Sequence, residues 1–224
     1  MNTPAKAEAP PSRVERRKAR TNRRLLEVAL RVFSEKGIYW AKVEDITELS
    51  DLGKGTFYKY FDSKETIIRV LLEEGLGELL AKTEQAVRNA SSDSKILSAA
   101  IAARVDFFLD YPDYLLLFHQ VRGMMQLDVD VAKEFRDVYD AHLRRLAQLV
   151  RPAMRARGTG SARDVATAIA AYTSGLVTYY LLFDGSDGIK RRRNYFLQVL
   201  HQSLQALVKN GNGSRGFSRI NLHY

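Results

Sequence analysis

Residues 43–64, VEDITELSDLGKGTFYKYFDSK, constrain the fold of this chain more than any other segment. Apolar residues recur there at helical spacing on both sides of a turn that contains glycine. The pattern predicts a helix over residues 43–49, a turn over residues 51–53 and a second short helix over residues 54–60. Two short helices joined by a tight turn indicate a helix-turn-helix, whose second helix enters the major groove of DNA. The side chains that the first helix is expected to bury are Val43, Ile46 and Leu49.

The second helix of this motif has an apolar face and a polar face. Phe57 and Phe61 stand four residues apart and form the face that we expect to be buried. On the polar face, glycine lets the backbone approach a base edge, lysine donates to guanine, and hydroxyl groups suit phosphate oxygens. The residues left free for bases or the groove are Lys54, Gly55, Tyr58 and Lys59. Those suited to phosphate oxygens include Thr56, Tyr60 and Lys64.

Two other interpretations of this segment are possible. An ordinary helical hairpin whose side chains merely face water explains any one of these residues taken alone. Residues 53–56, GKGT, also suggest a phosphate-binding loop, but the glycine expected five residues before the Gly-Lys pair is missing. The run as a whole therefore favours DNA binding.

A dense basic segment directly precedes the motif. The chain has a net charge of +9, and the basic residues between 12 and 24 are opposed only by Glu15. Such a cluster releases counterions when it lies along phosphates, which gives nucleic-acid affinity that depends on salt. A solvated basic tail is the alternative, but the position next to the motif favours a DNA contact. The basic residues are Arg13, Arg16, Arg17, Lys18, Arg20, Arg23 and Arg24.

The composition limits the classes of function that are open to the chain. Its 224 residues are 46% hydrophobic and 27% charged, an ordinary balance for a globular protein. No run approaches the roughly 18 apolar residues of a membrane span, and no secretory signal is recognisable at the N-terminus. Cysteine is absent, which removes thiolate nucleophiles, disulfides and cysteine metal sites. We therefore expect a cytoplasmic protein with no membrane partner.

Signatures of catalysis are missing from the sequence. The four histidines, His119, His142, His201 and His223, are far apart and form no zinc motif. No nucleophile elbow or dinucleotide fingerprint occurs, and the acidic residues near 184–188 do not match a calcium loop. We expect no enzyme activity, no cofactor and no metal site.

Helical spacing continues along the rest of the chain, without a convincing alternation of period two. This pattern predicts an all-α protein. The first helix, over residues 14–36, is expected to end at Gly37. The remaining helices are predicted over residues 64–90, 96–109, 111–125, 131–157, 162–183 and 190–209, with loops over residues 158–161 and 184–188.

Several linked elements between residues 25 and 65 form a known pattern. They are Phe33 and Gly37, then residues 43–46 (VEDI), 54–56 (KGT), 58–61 (YKYF) and 63–65 (SKE). Together they resemble the DNA-binding domain of the TetR family of bacterial transcriptional regulators, and the resemblance extends over residues 14–70. It implies a homodimer, in which each subunit has an N-terminal three-helix DNA-binding domain and a C-terminal helical ligand-binding and dimerisation domain.

The resemblance also implies roles for individual residues. It places Lys54, Gly55, Tyr58 and Lys59 at base or groove positions, and Thr56, Tyr60 and Lys64 at phosphate positions. Arg13, Arg16, Arg17 and Arg20 would supply an N-terminal arm. The implied partners are double-stranded operator DNA and a small-molecule effector.

Three positions depart from the family pattern. Members commonly carry Thr where Ala41 and Lys42 stand; Lys42 keeps the phosphate contact in our prediction but is a poor helix cap. Asp51 replaces a glycine of the turn, and it tolerates the left-handed conformation better than most residues do. Gly53 replaces the serine that usually caps the recognition helix. These changes affect capping strength and operator preference rather than the fold.

The domain organisation follows from these patterns. We predict a disordered N-terminal tail over residues 1–12 and a helix-turn-helix domain over residues 13–69. An effector-binding and dimerisation domain is predicted over residues 70–209, and a flexible tail over residues 210–224.

An effector pocket is expected where aromatic residues are densest. Aromatic residues at helical spacing often form plain core, but buried tyrosine hydroxyls need partners that a ligand cavity would supply. Arg104, His119 and Arg122 are candidates to orient a polar or anionic group of a mainly hydrophobic effector. The predicted pocket residues are Phe107, Phe108, Tyr111, Tyr114, Phe118, His119, Arg122, Met125, Tyr172 and Tyr179.

The last two helices are the predicted dimer interface. Small residues (Ala166, Ala170, Ser174 and Gly175) allow close helix approach, and an apolar stripe follows at Leu197, Leu200, Leu204, Leu207 and Val208. In the TetR family the last two helices of each subunit form a four-helix interface, which supports this placement. The alternative is that these faces pack only within one subunit.

These expectations combine into one functional prediction. A dimer holds two recognition helices about one DNA turn apart, or a multiple of it, over a near-palindromic operator. An effector that prefers another subunit geometry would release the DNA, with the helix over residues 64–90 as the connecting element. We predict a ligand-responsive dimeric repressor. The alternative is a basic helical protein that binds nucleic acids or anionic membranes without sequence preference.

Overall fold

A computed structural model of the chain describes residues 12–126, 130–155 and 161–210, and these residues contain helices but no β-strand. The side chains of residues 155, 186, 189 and 204–210 are outside this description. The helices are α1 (Arg13–Lys36), α2 (Val43–Leu49), α3 (Lys54–Phe57), α4 (Lys64–Arg88), α5 (Asp93–Asp110), α6 (Pro112–Met124), α7 (Asp130–Arg155) and α8 (Ala162–Asn210). The all-α prediction is confirmed.

The ends of α1 follow from local capping. Ser12 accepts a hydrogen bond from the backbone N–H of Glu15, and the Glu15 carboxylate accepts one from the N–H of Ser12 at 2.6 Å. This reciprocal pair satisfies two amides at the start of the helix. At the other end Gly37 adopts φ 80°, and its N–H donates to the carbonyl of Phe33. A left-handed φ favours glycine, which explains why the helix ends there.

The chain divides into two compact units between Leu71 and Leu72. In the first unit α1 packs on α2, and α2 packs on α3. Its core contains the apolar face of α1 together with side chains from α2, α3 and the start of α4. The fully buried members include Leu25, Phe33, Ile46, Phe57, Ile67 and Ile68.

The second unit is built around α5, α7 and α8, which make the largest helix contacts. Its core is rich in phenylalanine: Phe107, Phe108, Phe118 and Phe135 are all buried. Gly75 of α4 lies directly against α6. A Cβ atom at that position would lie 2.6 Å from Cε1 of Tyr114 and 2.9 Å from Cζ of Phe118. Glycine therefore permits a close contact that any side chain would disturb.

Three local predictions are corrected by the structure. Helix α3 ends at Phe57, and residues 58–60 form a turn instead of continuing the helix. Leu49 is 47% exposed, because the buried face of α2 centres on Ile46 and Ser50 and Leu49 points away from it. The loop predicted over residues 184–188 is reduced to a kink at Gly185, whose φ of 68° and ψ of 174° are not helical, and this kink separates two helical parts of α8.

Other predictions concern segments that the structure leaves largely undescribed. The N-terminal tail up to residue 11, the C-terminal tail from residue 211 and most of the loop over residues 158–161 lie outside the described residues. Within the described part, one stretch, Ala162–Gly185, is long and apolar enough to cross a membrane by length and composition. Core helices of soluble proteins commonly meet the same two criteria.

Candidate DNA-binding and effector sites

The turn between α2 and α3 shows how the chain forms its helix-turn-helix. Asp51 adopts φ 54°, a left-handed conformation, at the position where the family pattern has glycine. The N–H groups of Ser50 and Leu52 donate to the carbonyls of Ile46 and Thr47, at 3.0 and 2.9 Å. These bonds close the end of α2 and redirect the chain. Gly53 then caps α3 with an extended backbone.

Lys54, at the start of α3, is paired with a carboxylate. Its ammonium group contacts Glu44 of α2, and both side chains are well exposed. The Glu44 hydrogen bond raises the pKa of Lys54, and the same bond lowers the pKa of Glu44. Because the pair is in contact with water, Lys54 can exchange Glu44 for a DNA acceptor at little cost.

Gly55 is exposed, and a Cβ atom at this position would meet no atom of the described residues within 4 Å. Internal packing therefore does not require glycine here, which leaves close approach to an outside partner as a reason for it. Tyr58 is 53% exposed and its ring contacts the edge of Phe57, while Lys59 is exposed. Lys54, Gly55, Tyr58 and Lys59 thus share the outer surface of α3 and its turn.

The predicted phosphate contacts fall into two groups. Lys42 is exposed, whereas Thr56 and Tyr60 are half-buried in the fold of the first unit. Lys42 lacks a capping side chain, but its backbone N–H donates to the Asp45 carboxylate at 2.9 Å. The Asp45 carboxylate also pairs with the Lys36 ammonium group at 2.6 Å. The hydrogen bond from Lys36 lowers the pKa of Asp45 most, and the one from the Lys42 backbone adds to this effect. Asp45 thereby supplies the capping that Lys42 cannot.

Lys64 has a structural role that the sequence analysis missed. Its ammonium group donates to the carbonyls of Ile38 and Ala41, at 2.8 and 3.0 Å. The side chain therefore holds the loop between α1 and α2 in place. Since an ammonium group has three N–H donors, one remains for the predicted phosphate contact.

The predicted N-terminal arm lies within α1. Arg13, Arg16, Arg17 and Arg20 are all exposed, and their spacing of three, four and seven residues places them on one face of the helix. They surround a common surface depression. Hereafter we call these four residues the arginine row. The predicted arm is therefore the first part of helix α1.

The second unit contains a small, partly open cavity of about 160 Å³. Side chains from α4 to α8 line it, including Phe108, Phe118 and Arg122 among the predicted pocket residues. Hereafter we call it the inner cavity. A wider and more open cavity of about 510 Å³ lies between α4 and α7 and shares Leu76 and His142 with it. We call this second space the outer cavity.

The remaining predicted pocket residues line neither of these two cavities. Phe107 is buried, and its ring contacts the rings of Tyr111 and Tyr114. The Lys82 ammonium group lies over the Tyr111 ring, 4.9 Å from its centroid. His119 is exposed and Met125 half-buried. Tyr172 and Tyr179 are 44% and 61% exposed on the outer face of α8.

The polar groups of the inner cavity are unusual for a protein interior. Arg104 is 2% exposed and donates to Thr173 Oγ1 at 3.2 Å, and its Nη1 lies 3.1 Å from His142 Nε2. Burial lowers the pKa of Arg104 to about 10 and that of His142 to about 3. Burial also raises the pKa of Tyr139, whose hydroxyl donates to the Phe118 carbonyl at 3.0 Å. At neutral pH Arg104 is therefore charged, and His142 and Tyr139 are neutral.

Tyr139 and His142 were not among the site residues predicted from the sequence. The available signal was their position: residues 135, 139, 142 and 146 follow the apolar spacing of α7, so a histidine there is expected to be buried. Arg104 likewise interrupts the apolar face of α5 between Ile101 and Phe108. A charged or titratable residue at a core position marks a candidate site.

Comparison with known proteins supports the assignment of the first unit. Residues 25–71 match the sequence model described as bacterial regulatory proteins, tetR family. The chain is 22% identical over 119 residues to the fatty acid metabolism regulator protein of Bacillus subtilis, an alignment covering 53% of this chain and 60% of that protein. It is 30% identical over 95 residues to the transcriptional activator FasR of Mycolicibacterium smegmatis, covering 42% of this chain and 43% of that one. The chain thus spans less than two thirds of these relatives.

A solved structure shows that the fold likeness extends beyond the first unit. The transcriptional regulator FadR from Bacillus subtilis, crystallised in complex with stearoyl-CoA, superposes with a TM-score of 0.66 at 18% identity. The superposition covers 84% of this chain and 98% of that chain. Residues 25–71 therefore form a helix-turn-helix domain of the tetR family of bacterial regulatory proteins, and the helical fold of the chain is similar to that of FadR.

Proposed function

We propose that the protein is a homodimeric, sequence-specific DNA-binding regulator that represses its target genes and releases its operator when a small, mainly hydrophobic effector binds. The observation that carries the DNA-binding part is the exposed surface of α3. There Lys54 and Lys59 flank a glycine that internal packing does not require. A surface of this kind suits the floor of the major groove.

The arginine row adds an affinity that does not depend on sequence. Four guanidinium groups on one face of α1 are suited to phosphate oxygens, and the pairs that they form with DNA weaken as salt rises. We propose that this row, with Lys42, Thr56, Tyr60 and Lys64, sets the position of the protein on the duplex. The α3 surface then reads the bases.

The proposed dimer rests on the exposed apolar residues of α8. Large side chains are normally buried, and a group of them on one element marks an interaction surface. On α8 the exposed ones are Tyr172, Tyr179, Leu182, Phe183 and Tyr195. Leu200 is buried within the subunit, and the side chains of Leu204, Leu207 and Val208 lie outside the described residues.

The proposed effector site is the inner cavity with the outer cavity beside it. Apolar walls and a few convergent polar groups are the usual features of a ligand site. The related fold of FadR, which was crystallised with stearoyl-CoA, supports an effector with a long apolar part. We propose that the effector acts through α4, because this helix carries residues of both units.

The test is fluorescence anisotropy of the full chain on DNA fragments from upstream of its own coding region. Tight binding to one near-palindromic fragment, against scrambled DNA, is the expected result. Tyr58→Phe should weaken that binding, because it removes the exposed hydroxyl group that is proposed to contact DNA. Since the substitution changes nothing else, sedimentation should show an intact dimer. Equal, salt-sensitive binding to every fragment would instead favour the alternative of a non-specific basic protein.

Two further measurements address the remaining parts of the proposal. Expression of a reporter gene behind the bound fragment should rise when the regulator is deleted, whereas a fall would identify an activator. Binding to vesicles of anionic lipid should be weak compared with operator binding. Strong vesicle binding would overturn the proposal that the protein works in the cytoplasm without a membrane.

A further inference from the structure

We propose that the effector is an amphipathic carboxylate whose head group binds inside the inner cavity, between Arg104 and Arg122, with its apolar body directed toward the outer cavity. This inference rests on the proposed function, because it takes the same cavity as the effector site. It goes further by assigning the head group, its position and its orientation.

The first observation is a buried cation without a counter-charge. Arg104 is 2% exposed, and its hydrogen bonds go to the neutral side chains of Thr173 and His142. None of the ion pairs found among the described residues joins it to a carboxylate. A buried charge without an opposite charge is strongly unfavourable, so such groups usually mark a site that an anion completes.

A second guanidinium lies at the same cavity. Arg122 donates from Nη1 to Ser174 Oγ at 3.1 Å, and both residues line the inner cavity with Arg104. The positive charge of Arg122 contributes to the lowered pKa of Arg104, after the larger effect of burial. Two like charges raise each other's energy. An anion between them would be attracted to both and would remove this repulsion.

The tautomer of His142 provides a further donor. Arginine can only donate, so His142 Nε2 must accept from Arg104 Nη1, and the neutral ring then carries its proton on Nδ1. Among the residues that the structure describes, this buried Nδ1 has no hydrogen-bond partner of ordinary length, although the nearby Leu76 carbonyl favours the protonated ring. A buried donor without a partner is costly, and a ligand oxygen would satisfy it.

The rest of the cavity wall is apolar. Leu76, Phe108, Phe118 and Leu143 line the inner cavity beside the polar groups. A carboxylate fits the polar side because it accepts several charge-assisted hydrogen bonds in a small volume. The space of about 160 Å³ is too small for a long chain, so the apolar body must extend past Leu76 and His142, which border both cavities.

The opposite orientation would place the head group at the mouth of the outer cavity. Arg144 and Arg145 line that mouth, but Arg144 is paired with Asp140 at 3.2 Å and is exposed to water. Asp140 also pairs with Arg163. This arginine is therefore already compensated, whereas Arg104 is not. The contrast favours a head group that points inward.

Isothermal titration calorimetry of the full chain tests the proposal with ligands of one chain length. Dodecanoate should bind at least tenfold more tightly than dodecanol, because only the acid supplies a charge to Arg104 and Arg122. The affinities of dodecanoyl-CoA and dodecyl phosphate, which have the same chain length but other head groups, are measured in the same way. Equal affinity for the acid and the alcohol would overturn the proposal, and tighter binding of either of the other two ligands would overturn the carboxylate head group.

Variants locate the head group. Arg122→Gln should remove the preference for the acid over the alcohol, and Arg104→Met should do the same if its thermal unfolding shows that it is folded. Arg145→Gln should leave the preference unchanged, as should Arg151→Gln, an exposed arginine of α7 that lines neither cavity. Loss of the preference in Arg145→Gln alone would reverse the orientation and refute the proposal.

DNA anisotropy separates this inference from the proposed function. If dodecanoate binds with the expected preference but operator affinity stays unchanged, the head-group assignment stands and the effector role fails. If dodecanol releases operator as well as dodecanoate does, the regulator remains and the head-group assignment fails.

Discussion

The two compact units of this protein differ in how the cations of their candidate binding sites are placed. In the first unit, charges lie at the surface and their partners are exchangeable, as in the exposed pair of Lys54 and Glu44. In the second unit, Arg104 is buried and bonded only to uncharged groups. Exposed charges suit a large polyanion that approaches from outside, whereas a buried charge suits a small anion that is enclosed. The difference agrees with the two proposed sites, one for DNA and one for a small anion.

The largest effect is expected from neutralising the arginine row. Changing Arg13, Arg16, Arg17 and Arg20 to Gln should weaken binding to operator and random DNA alike, by roughly a hundredfold at low salt. The slope of log affinity against log salt should fall by about 0.9 for each phosphate that the variant no longer neutralises. Anisotropy between low and moderate salt measures both values. A weakening confined to operator DNA would mean that the row reads sequence.

A glycine pair tests how tightly the second unit packs. Gly75→Ala should destabilise the protein by about 1–3 kcal/mol, because the new Cβ overlaps the rings of Tyr114 and Phe118. Gly77→Ala is the matched control on the same helix, where a Cβ meets no atom within 4 Å. It should stabilise the protein by about 0.5–1 kcal/mol. Denaturant unfolding measures both, and equal effects would contradict the close contact at Gly75.

The burial of His142 predicts a pH dependence of stability. Burial lowers the pKa of His142 to about 3 in the folded protein, and the positive charge of Arg104 makes a smaller contribution in the same direction. Between pH 6.5 and pH 3 the unfolded chain therefore binds a proton that the folded protein does not, and stability falls with pH. The loss is about 2 kcal/mol on going from pH 6.5 to pH 5.

Matched histidine variants isolate this dependence from other titrating groups. His142→Gln should flatten the fall in unfolding free energy, while His119→Gln, which removes an exposed histidine, should leave it unchanged. Arg104, Arg122 and Tyr139 surround the same cavity and remain in both variants. Identical pH profiles for the two variants would show that His142 ionises freely in the folded protein.

Gly55→Ala tests whether the exposed surface of the first unit contacts DNA. The added methyl group meets no atom of the chain, so thermal stability should be kept or slightly raised. Operator affinity should fall about tenfold, or about 1.4 kcal/mol, because the methyl group keeps the backbone from the bases. Anisotropy and thermal unfolding of the same sample decide this. Unchanged affinity would remove Gly55 from the DNA contact.

The smallest effect is expected at the exposed pair of Lys54 and Glu44. Glu44→Gln should raise DNA affinity only a few-fold, because an exposed ion pair holds Lys54 weakly and Gln removes a negative charge next to the phosphates. Operator and scrambled DNA, compared by anisotropy, measure the change. A large loss of affinity would mean that Glu44 positions Lys54 for binding.

Several features were predictable because they depend on residues close together in the sequence. The spacing of Ile46, Phe57 and Phe61 predicted a buried face for the helix-turn-helix, and all three side chains are buried. The end of α1 at Gly37 was also expected from local backbone preferences, and the left-handed Asp51 stands where the family pattern has glycine. Local sequence likewise predicted the all-α fold, since helical spacing needs only a few turns to be recognised.

Other features depend on partners that are distant in sequence. Lys64 donates to carbonyls more than 20 residues earlier, and Arg104 meets His142 across 38 residues. Tyr179 was predicted to line a pocket, yet it lies on the exposed face of α8. Helical spacing shows that residues share a face, but it does not show which neighbour covers that face.

The sequence by itself determined the helices, the helix-turn-helix and the chemistry available on its outer surface. These depend on backbone preferences and on apolar spacing, which act over a few residues. Only the tertiary structure decided that Lys64 holds a loop in place and that Arg104 is buried without a counter-charge from any described residue. The free energy of a charge depends on its three-dimensional surroundings, because burial and neighbouring charges set its solvation, and no local pattern specifies those surroundings.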